Sequence, residues 1–488
     1  MAVNAMAANA AGDGGRKAAG DDEITAWVQR TLKEDPRTRS SNISVSVERG
    51  IVQLSGTTKT LAARQYASLE AKKIAGVRGV IDEIRVQPIV RPDGEIARKA
   101  RLQATALLQA SPDIEVSVHD GVVTLRGKVM GHSEAREAEL LASDVRGVRA
   151  IRNDLRIRLR FARLDTDVRG DVLEALDRDV YLTGLPIEVA VDDGYVTLTG
   201  KVGNLYQKER ATGQATMVDG VRGVVNGLEI DPSLATGTRE TATMDDEGVR
   251  AAVVAELGHD ARVDARDISV RSAAGRVTLA GSVESASERL AAERDARDVS
   301  GVSRVENDLR VDSPHRDDVR IQSDVELFLS TDATLAHAGL KVNVKSGVVT
   351  LKGEVPDGWE RAHAEELAMR PLGVARVVDK LKVAEDEPAD ESSAALERKI
   401  RDRLRWDWST SFVAPRIEVT VKDGIATLDG SVDTWVQRLE AARGALSVEG
   451  IRMVDDDLSV VGSVGPSQSF YFPEDFLFDP WYLWTLPG

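Results

Sequence analysis

The 488-residue chain has six histidines, eighty carboxylates and no cysteine, and these bound the chemistry it could attempt. The histidines are His119, His132, His259, His315, His337 and His363. Three of them fall between 315 and 363, but none makes a close i, i+4 pair and no thiolate is available to help. Zinc is held by three or four converging His, Cys or carboxylate ligands, so these histidines read as solvated and no metal is expected. The carboxylates alternate with arginine along helical runs such as Glu288–Asp298, ERLAAERDARD. That spacing makes a salt-bridged surface face rather than a paired acid and base. No nucleophile elbow, phosphate loop or dinucleotide fingerprint stands in a usable context. The chain is therefore read as no enzyme, with no cofactor. One polar position does recur, at Asp82, Asn153, Asn226, Asn307, Asp379 and Asp456. Such a side chain can cap a bend in its own backbone, or it can offer an oxygen to a ligand.

That position belongs to a repeat. A glycine falls at Gly50, Gly121, Gly194, Gly275, Gly347 and Gly424. Each has a leucine four residues on (Leu54, Leu125, Leu198, Leu279, Leu351, Leu428) and a second glycine six on (Gly56, Gly127, Gly200, Gly281, Gly353, Gly430). A third glycine follows twenty residues later, at Gly76, Gly147, Gly220, Gly301, Gly373 and Gly450. Six copies without a slip specify a tandem array.

The third copy shows what each unit must be. Ile187, Val189 and Val191 alternate with polar residues, and Asp193-Gly194 is the signature of a type I′ hairpin turn. Centred there, the register pairs Val191 with Val196, Val189 with Leu198 and Ile187 with Gly200. An alanine eleven residues past the second glycine (Ala67, Ala138, Ala211, Ala292, Ala364, Ala441) lies in a helical stretch. It is expected to pack small-on-small against that glycine, with the third glycine ending the helix as a left-handed cap. A last strand follows, with Val302, Val305, Leu309 and Val311 as its apolar set in the fourth copy. A unit of about 70 residues is marginal alone, so neighbours are expected to help by packing or pairing.

The net charge of −16 argues against nucleic acid, whose binding rests on neutralising phosphates, and against simple attraction to anionic lipid. Residues 1–20 have no apolar core of signal-peptide length, and no 18-residue apolar run occurs. As written, the chain reads as cytoplasmic.

In order, the chain reads as a lead over 1–20, then units at 21–90, 94–160, 163–232, 244–312, 315–384 and 394–461, and a tail over 462–488. In unit 1, Asp21 or Asp22 can cap a helix carrying Ile24, Trp27, Val28 and Leu32. Residues 232–243 read as a hinge, and 385–393, EDEPADESS, as a solvated acidic linker. The tail differs in kind, holding eight of the chain's twenty aromatics in its last nineteen residues. Phe476, Trp481, Tyr482 and Trp484 are the candidates for contact with this chain's own repeats, a partner or a lipid interface. Trp406 and Trp408 are placed to dock that tail.

Each unit, with its G-x-V-x-L-x-G hairpin and later Gly-Val…Asn/Asp…Leu, resembles the BON domain, the module of osmotically inducible periplasmic proteins and related envelope proteins. The resemblance covers about 21–461 and departs only at Ala426, where other copies have Val, and at Gln53, where a Thr is common. It implies an α+β fold of six αββαβ units, each with two helices on one face of a three-stranded sheet. It also implies a non-catalytic part in osmotic or envelope stress, with phospholipid or an envelope protein as partner, and a periplasmic setting. A relative with one such domain binds potassium, so a potassium-responsive role is the alternative. In lipid-binding relatives, exposed apolar residues on a helix enter the bilayer. The matching places here are Leu205 and Tyr206 in unit 3, Trp359 in unit 5 and Trp435 with Val436 in unit 6. They are expected on the surface, for membrane or inter-unit contact. The family is mostly exported and its members carry one to three copies, which this chain exceeds.

Overall fold

The computed structural model describes residues 19–107, 114–129, 131–157, 163–234, 245–260, 263–312, 316–332, 334–384, 392–461 and 470–471. Six αββαβ units follow one another, each with a sheet of its own, so the fold is α+β. The first helices are α1 (Asp21–Glu34), α3 (Asp93–Leu107), α5 (Asp165–Arg178), α7 (Asp246–His259), α9 (Asp318–Thr331) and α11 (Ser393–Trp406). The second helices are α2 (Leu61–Lys73), α4 (His132–Asp144), α6 (Leu205–Met217), α8 (Ala286–Asp298), α10 (Gly358–Met369) and α12 (Trp435–Leu446). In every sheet the hairpin's second strand is central and the last strand joins it in parallel, as at Val196 beside Val224. In unit 6 a two-residue strand, Phe470–Tyr471, adds antiparallel to the far edge of Met453–Val460.

The hairpin register is the one the alternation demands: Val191 opposite Val196, Val189 opposite Leu198, Ile187 opposite Gly200. All six turns are of the I′ kind, with positive φ at both central residues, including the less typical pairs Arg49-Gly50 and Ala274-Gly275. The six alanines are fully buried on the inner faces of the second helices. The glycine opposite them has a different cause from small-on-small packing. Gly200 has φ +114°, and a Cβ there would stand 2.0 Å from the Pro186 carbonyl oxygen on the neighbouring strand, not against the helix.

The third glycine is also not a helix cap. Helix α6 ends at Met217 with Val218 as an extended cap, and Gly220 (φ +97°) lies in the turn beyond. There its carbonyl oxygen lies 2.7 Å from where a Cβ on Gly194 would be, and Val168 of α5 packs on its other side. Arg222 N–H donates to Gly194 O at 2.8 Å, and the equivalent bond recurs in all six units. The hairpin turn, the helix-to-strand turn and the first helix thus meet at one corner.

An acidic residue locks that corner. Asp165, the first residue of α5, accepts from Asp193 N at 2.9 Å and Gly194 N at 3.0 Å. Asp21, Asp93, Asp246 and Asp318 do the same for their own turns. Asp21 therefore clamps the turn rather than capping α1, whose N-cap is Gly20.

The units assemble through their second helices. Helices α2, α4 and α6 pack against one another, so units 1, 2 and 3 form one triangle. Units 4, 5 and 6 form the other: α8 meets α12, Ala286 and Leu290 of α8 join the core of unit 5, and Trp359 and Ala362 of α10 join the core of unit 6. The triangles stack, with unit 1 on unit 6, unit 2 on unit 5 and unit 3 on unit 4. This burial of apolar surface between units supplies what each small core lacks.

Candidate functional site

The joints between units hold the residues that sequence reasoning singled out. Leu205 is buried in the core of unit 1, and Trp359 in the core of unit 6 with Trp435 half-buried beside it. Tyr206 lies between units 3 and 6, stacked on Trp408 at 4.9 Å between ring centroids and edge-on to Tyr181 at 5.5 Å. Val436 closes the same cluster. Of the two contacts expected for these five residues, the structure shows the inter-unit one: at the start of α6, α10 and α12 a neighbouring unit covers them. Trp408 and Trp406 likewise serve units 3 and 1, with Trp406 stacked on Trp27 at 4.8 Å. The tail candidates Phe476, Trp481, Tyr482 and Trp484 lie outside the described residues.

Two stacked joints use backbone pairing. Between units 1 and 6, Ala75 N donates to Trp406 O at 3.0 Å and Trp408 N to Lys73 O at 2.9 Å. Between units 3 and 4, Val180 N donates to Asp298 O at 3.3 Å and Ser300 N to Arg178 O at 2.9 Å. Side chains join units 2 and 5: Gln103 donates to Thr331 Oγ1 at 2.8 Å, Arg146 to Ser330 O at 3.0 Å, and Leu141 packs on Phe328.

Charge is concentrated at these joints, and an acid recurs at the end of the first helix. Asp35, Asp179, Asp260, Asp332 and Asp407 are the C-caps of α1, α5, α7, α9 and α11. Asp179 is buried and accepts from Arg210 Nε at 2.6 Å and Gln214 at 2.7 Å. Burial nevertheless raises its carboxyl above the ordinary range, with the Arg210 charge opposing. In unit 5 the same place holds Asp332 and His363 Nε2 at 2.9 Å, under the Trp359 ring. There the imidazole and several hydrogen bonds outweigh burial, so Asp332 lies well below the usual carboxylate range and His363 is raised. His363 is thus a buried ion-pair partner, not a solvated histidine.

Unit 1 builds a larger group. Arg37 bridges Asp35 at 2.5 Å and Glu70 at 2.9 Å, with its guanidinium 4.2 Å from the Tyr66 ring centroid. Burial works to raise Glu70, but Lys73, Arg37 and Arg403 of unit 6 hold it down at about 2. The first-helix acids stand fifteen residues before the turn glycine in units 1, 3, 4 and 5, a spacing that could have revealed them.

The recurring Asx residues are engaged within their own units. Each accepts from the N–H two residues on, as Asn226 does from Leu228 at 3.0 Å. The three Asn residues donate to a second-helix carbonyl eighteen residues earlier, as in Asn226 to Lys208 O at 2.7 Å. The three Asp residues instead pair with an arginine at that same offset, Arg64, Arg361 or Arg438. The capping reading of this position therefore holds. Among the described residues no group of three or more His, Asp or Glu is placed to hold a metal ion. No described helix is long and apolar enough to cross a membrane.

The geometry has counterparts. Osmotically-inducible protein Y of Escherichia coli K12 is 31% identical over 144 residues, 28% of this chain and 72% of that protein. The outer membrane lipoprotein DolP of Haemophilus influenzae is 30% identical over 170 residues, 33% of this chain and 87% of its own length. An uncharacterized protein in the gshII 5′ region of Anaplasma centrale is 33% identical over 122 residues, 24% and 81% of the respective chains. The model of the BON domain matches residues 20–88, 95–158, 164–232, 245–313, 317–385 and 392–462, and the chain belongs to that family in all six units.

Proposed function

We propose that the protein is a non-catalytic scaffold of the cell envelope, one preassembled body that meets a phospholipid surface or an envelope protein under osmotic or envelope stress. The observation that carries this reading is the inward burial of all six second helices, which commits the helical faces to self-assembly and leaves the sheet faces outward. Units 1 and 3 carry apolar pairs on those outer faces: Ile51 with Ile81, and Tyr195 with Val225, each between 44% and 60% exposed. The aromatic tail adds Phe476, Trp481, Tyr482 and Trp484 as the contact residues. The relatives named for osmotic induction and for the outer membrane support an envelope setting.

Liposome co-sedimentation tests this, comparing the full chain with one ending at Val461, on neutral and anionic vesicles. Pelleting of the full chain alone makes the tail the anchor. Pelleting of neither removes lipid and leaves a protein partner. A potassium-responsive role has no geometric support, because the Asx oxygens already serve the units' own backbone and helices. Equal melting midpoints in potassium and sodium chloride would close it.

A further inference from the structure

One cross-strand row sets units 5 and 6 apart from the other four. It joins the residue before the second glycine of the repeat, its partner on the hairpin's first strand, and the residue after the recurring Asx on the last strand. The row lies on the outer face of the sheet, away from the helices. In unit 5 it is Lys341 opposite Lys352, with Lys352 opposite Lys380. In unit 6 it is Glu418 opposite Asp429, with Asp429 opposite Asp457, in the same register. The three lysines, Glu418 and Asp429 are exposed, and Asp457 is half-buried.

No other unit places like charges side by side in this row. Unit 2 has Glu115, Arg126 and Asp154, and Arg126 lies 3.6 Å from Asp154. Units 1 and 4 each have two uncharged residues and one acid, and unit 3 pairs Glu188 with Thr199.

Directly opposed side chains stand about 4.5–5.5 Å apart at Cβ, where like charges destabilise a sheet. The fold does not recover that cost, because none of the six side chains has an ion-pair partner among the described residues. Solubility does not call for them in a chain of net charge −16. Lysine commonly guards a sheet edge against pairing, but Lys352 is on the central strand. The rest of each face agrees in sign with its row. Lys345, Arg376 and Lys382 join the lysines against Glu354 alone, and Asp455 joins the acids against Lys422 alone.

The two rows cannot neutralise each other within one molecule. Units 5 and 6 are joined through their helices, with Trp359 of α10 in the core of unit 6, and each sheet lies on the far side of its own helices. We propose that the unit 5 sheet of one molecule docks on the unit 6 sheet of a second copy, lysine row on acid row. The two surfaces differ, so the contact is heterologous, and each pair keeps one row of either sign free to extend the assembly. At about 4.8 Å between strands and about 3.3 Å per residue, such a three-stranded face covers roughly 300 Å². A stable complex buries about 800 Å² on each partner, so this contact is weak and rests on its charges.

Sedimentation velocity on the full chain tests this across a concentration series, in about 20 mM and about 500 mM salt. Expected is a sedimentation coefficient that rises with concentration at low salt and loses that rise at high salt. Two variants assign the surfaces: Lys341→Glu with Lys352→Glu, and Glu418→Lys with Asp429→Lys. All four positions are exposed; if either pair does not fold, Lys352→Glu or Asp429→Lys alone replaces it. Each variant alone sets like against like and should stay monomeric at low salt. An equimolar mixture of the two should associate again, because each supplies the sign that the other lacks. A wild type that is monomeric at low salt, a variant that associates as wild type does, or a mixture that stays monomeric would each overturn the proposal. A monomeric wild type that pellets with anionic vesicles, and no longer does so with Lys341→Glu and Lys352→Glu, would give the lysine row to lipid instead.

Discussion

Asp179 and Arg210 meet at 2.6 Å inside the joint of units 3 and 4, and the corresponding place in unit 5 is taken by Asp332 and His363 at 2.9 Å. Breaking a buried pair strands one charge. Arg210→Met should therefore cost about 3–5 kcal/mol in urea unfolding followed by tryptophan fluorescence. Adding Asp179→Asn should recover part of that loss, because the buried Asp179 charge is then no longer left uncompensated, although Asp298 still loses its contact with Arg210.

The acid clamp on the hairpin turn predicts a local effect. Asp165→Ala removes two charge-assisted bonds to the turn of unit 3 and should cost about 1–3 kcal/mol. Exchange protection of the hairpin 187–202 should fall before that of the other five hairpins. Unit 6 has Ala395 at the equivalent spacing, and there Glu397 accepts from Val421 N at 3.2 Å on the strand before the turn rather than from the turn itself.

Two glycines of unit 3 separate backbone demand from mere tolerance. Gly200→Ala drives a Cβ into the Pro186 carbonyl oxygen and should abolish the native fold of the unit. Gly170 lies within α5 with nothing within 4 Å of a built Cβ. Gly170→Ala should stabilise by about 0.4–1 kcal/mol, and thermal melts of the two variants should move in opposite directions.

Acid should loosen what alkali does not. Glu70, held at about 2 against an ordinary 4.5, contributes stability that is complete above 4.5 and is lost as pH falls toward 2. Glu70→Gln should lower the melting point at neutral pH and flatten its acid limb. Melts across that range decide it, and an unchanged acid slope would remove Glu70 as its source.

The sequence carried the sixfold αββαβ pattern, because strand alternation, turn chemistry and a fixed glycine spacing are all local. It carried the hairpin register to the residue. It misassigned Gly200 because the offending atom, the Pro186 carbonyl, belongs to the facing strand. It left Leu205, Tyr206, Trp359 and Trp435 open between membrane and inter-unit contact because their cover comes from other units, and a repeat's spacing says nothing of how copies stack. Asp179 and its equivalents went unread for a related reason. An acid at a helix end looks solvated until a second unit closes over it.

Joining all six copies in one chain gives this arrangement a property that separate subunits could not have. Each unit meets its neighbours at a fixed effective concentration, so dilution does not disperse the assembly. Each position is also encoded separately. A body built from identical copies would repeat every contact by symmetry and would have to place either Arg210 or His363 at every equivalent site. This chain places one in unit 3 and the other in unit 5, so its joints can diverge in strength and in response without losing the common outline.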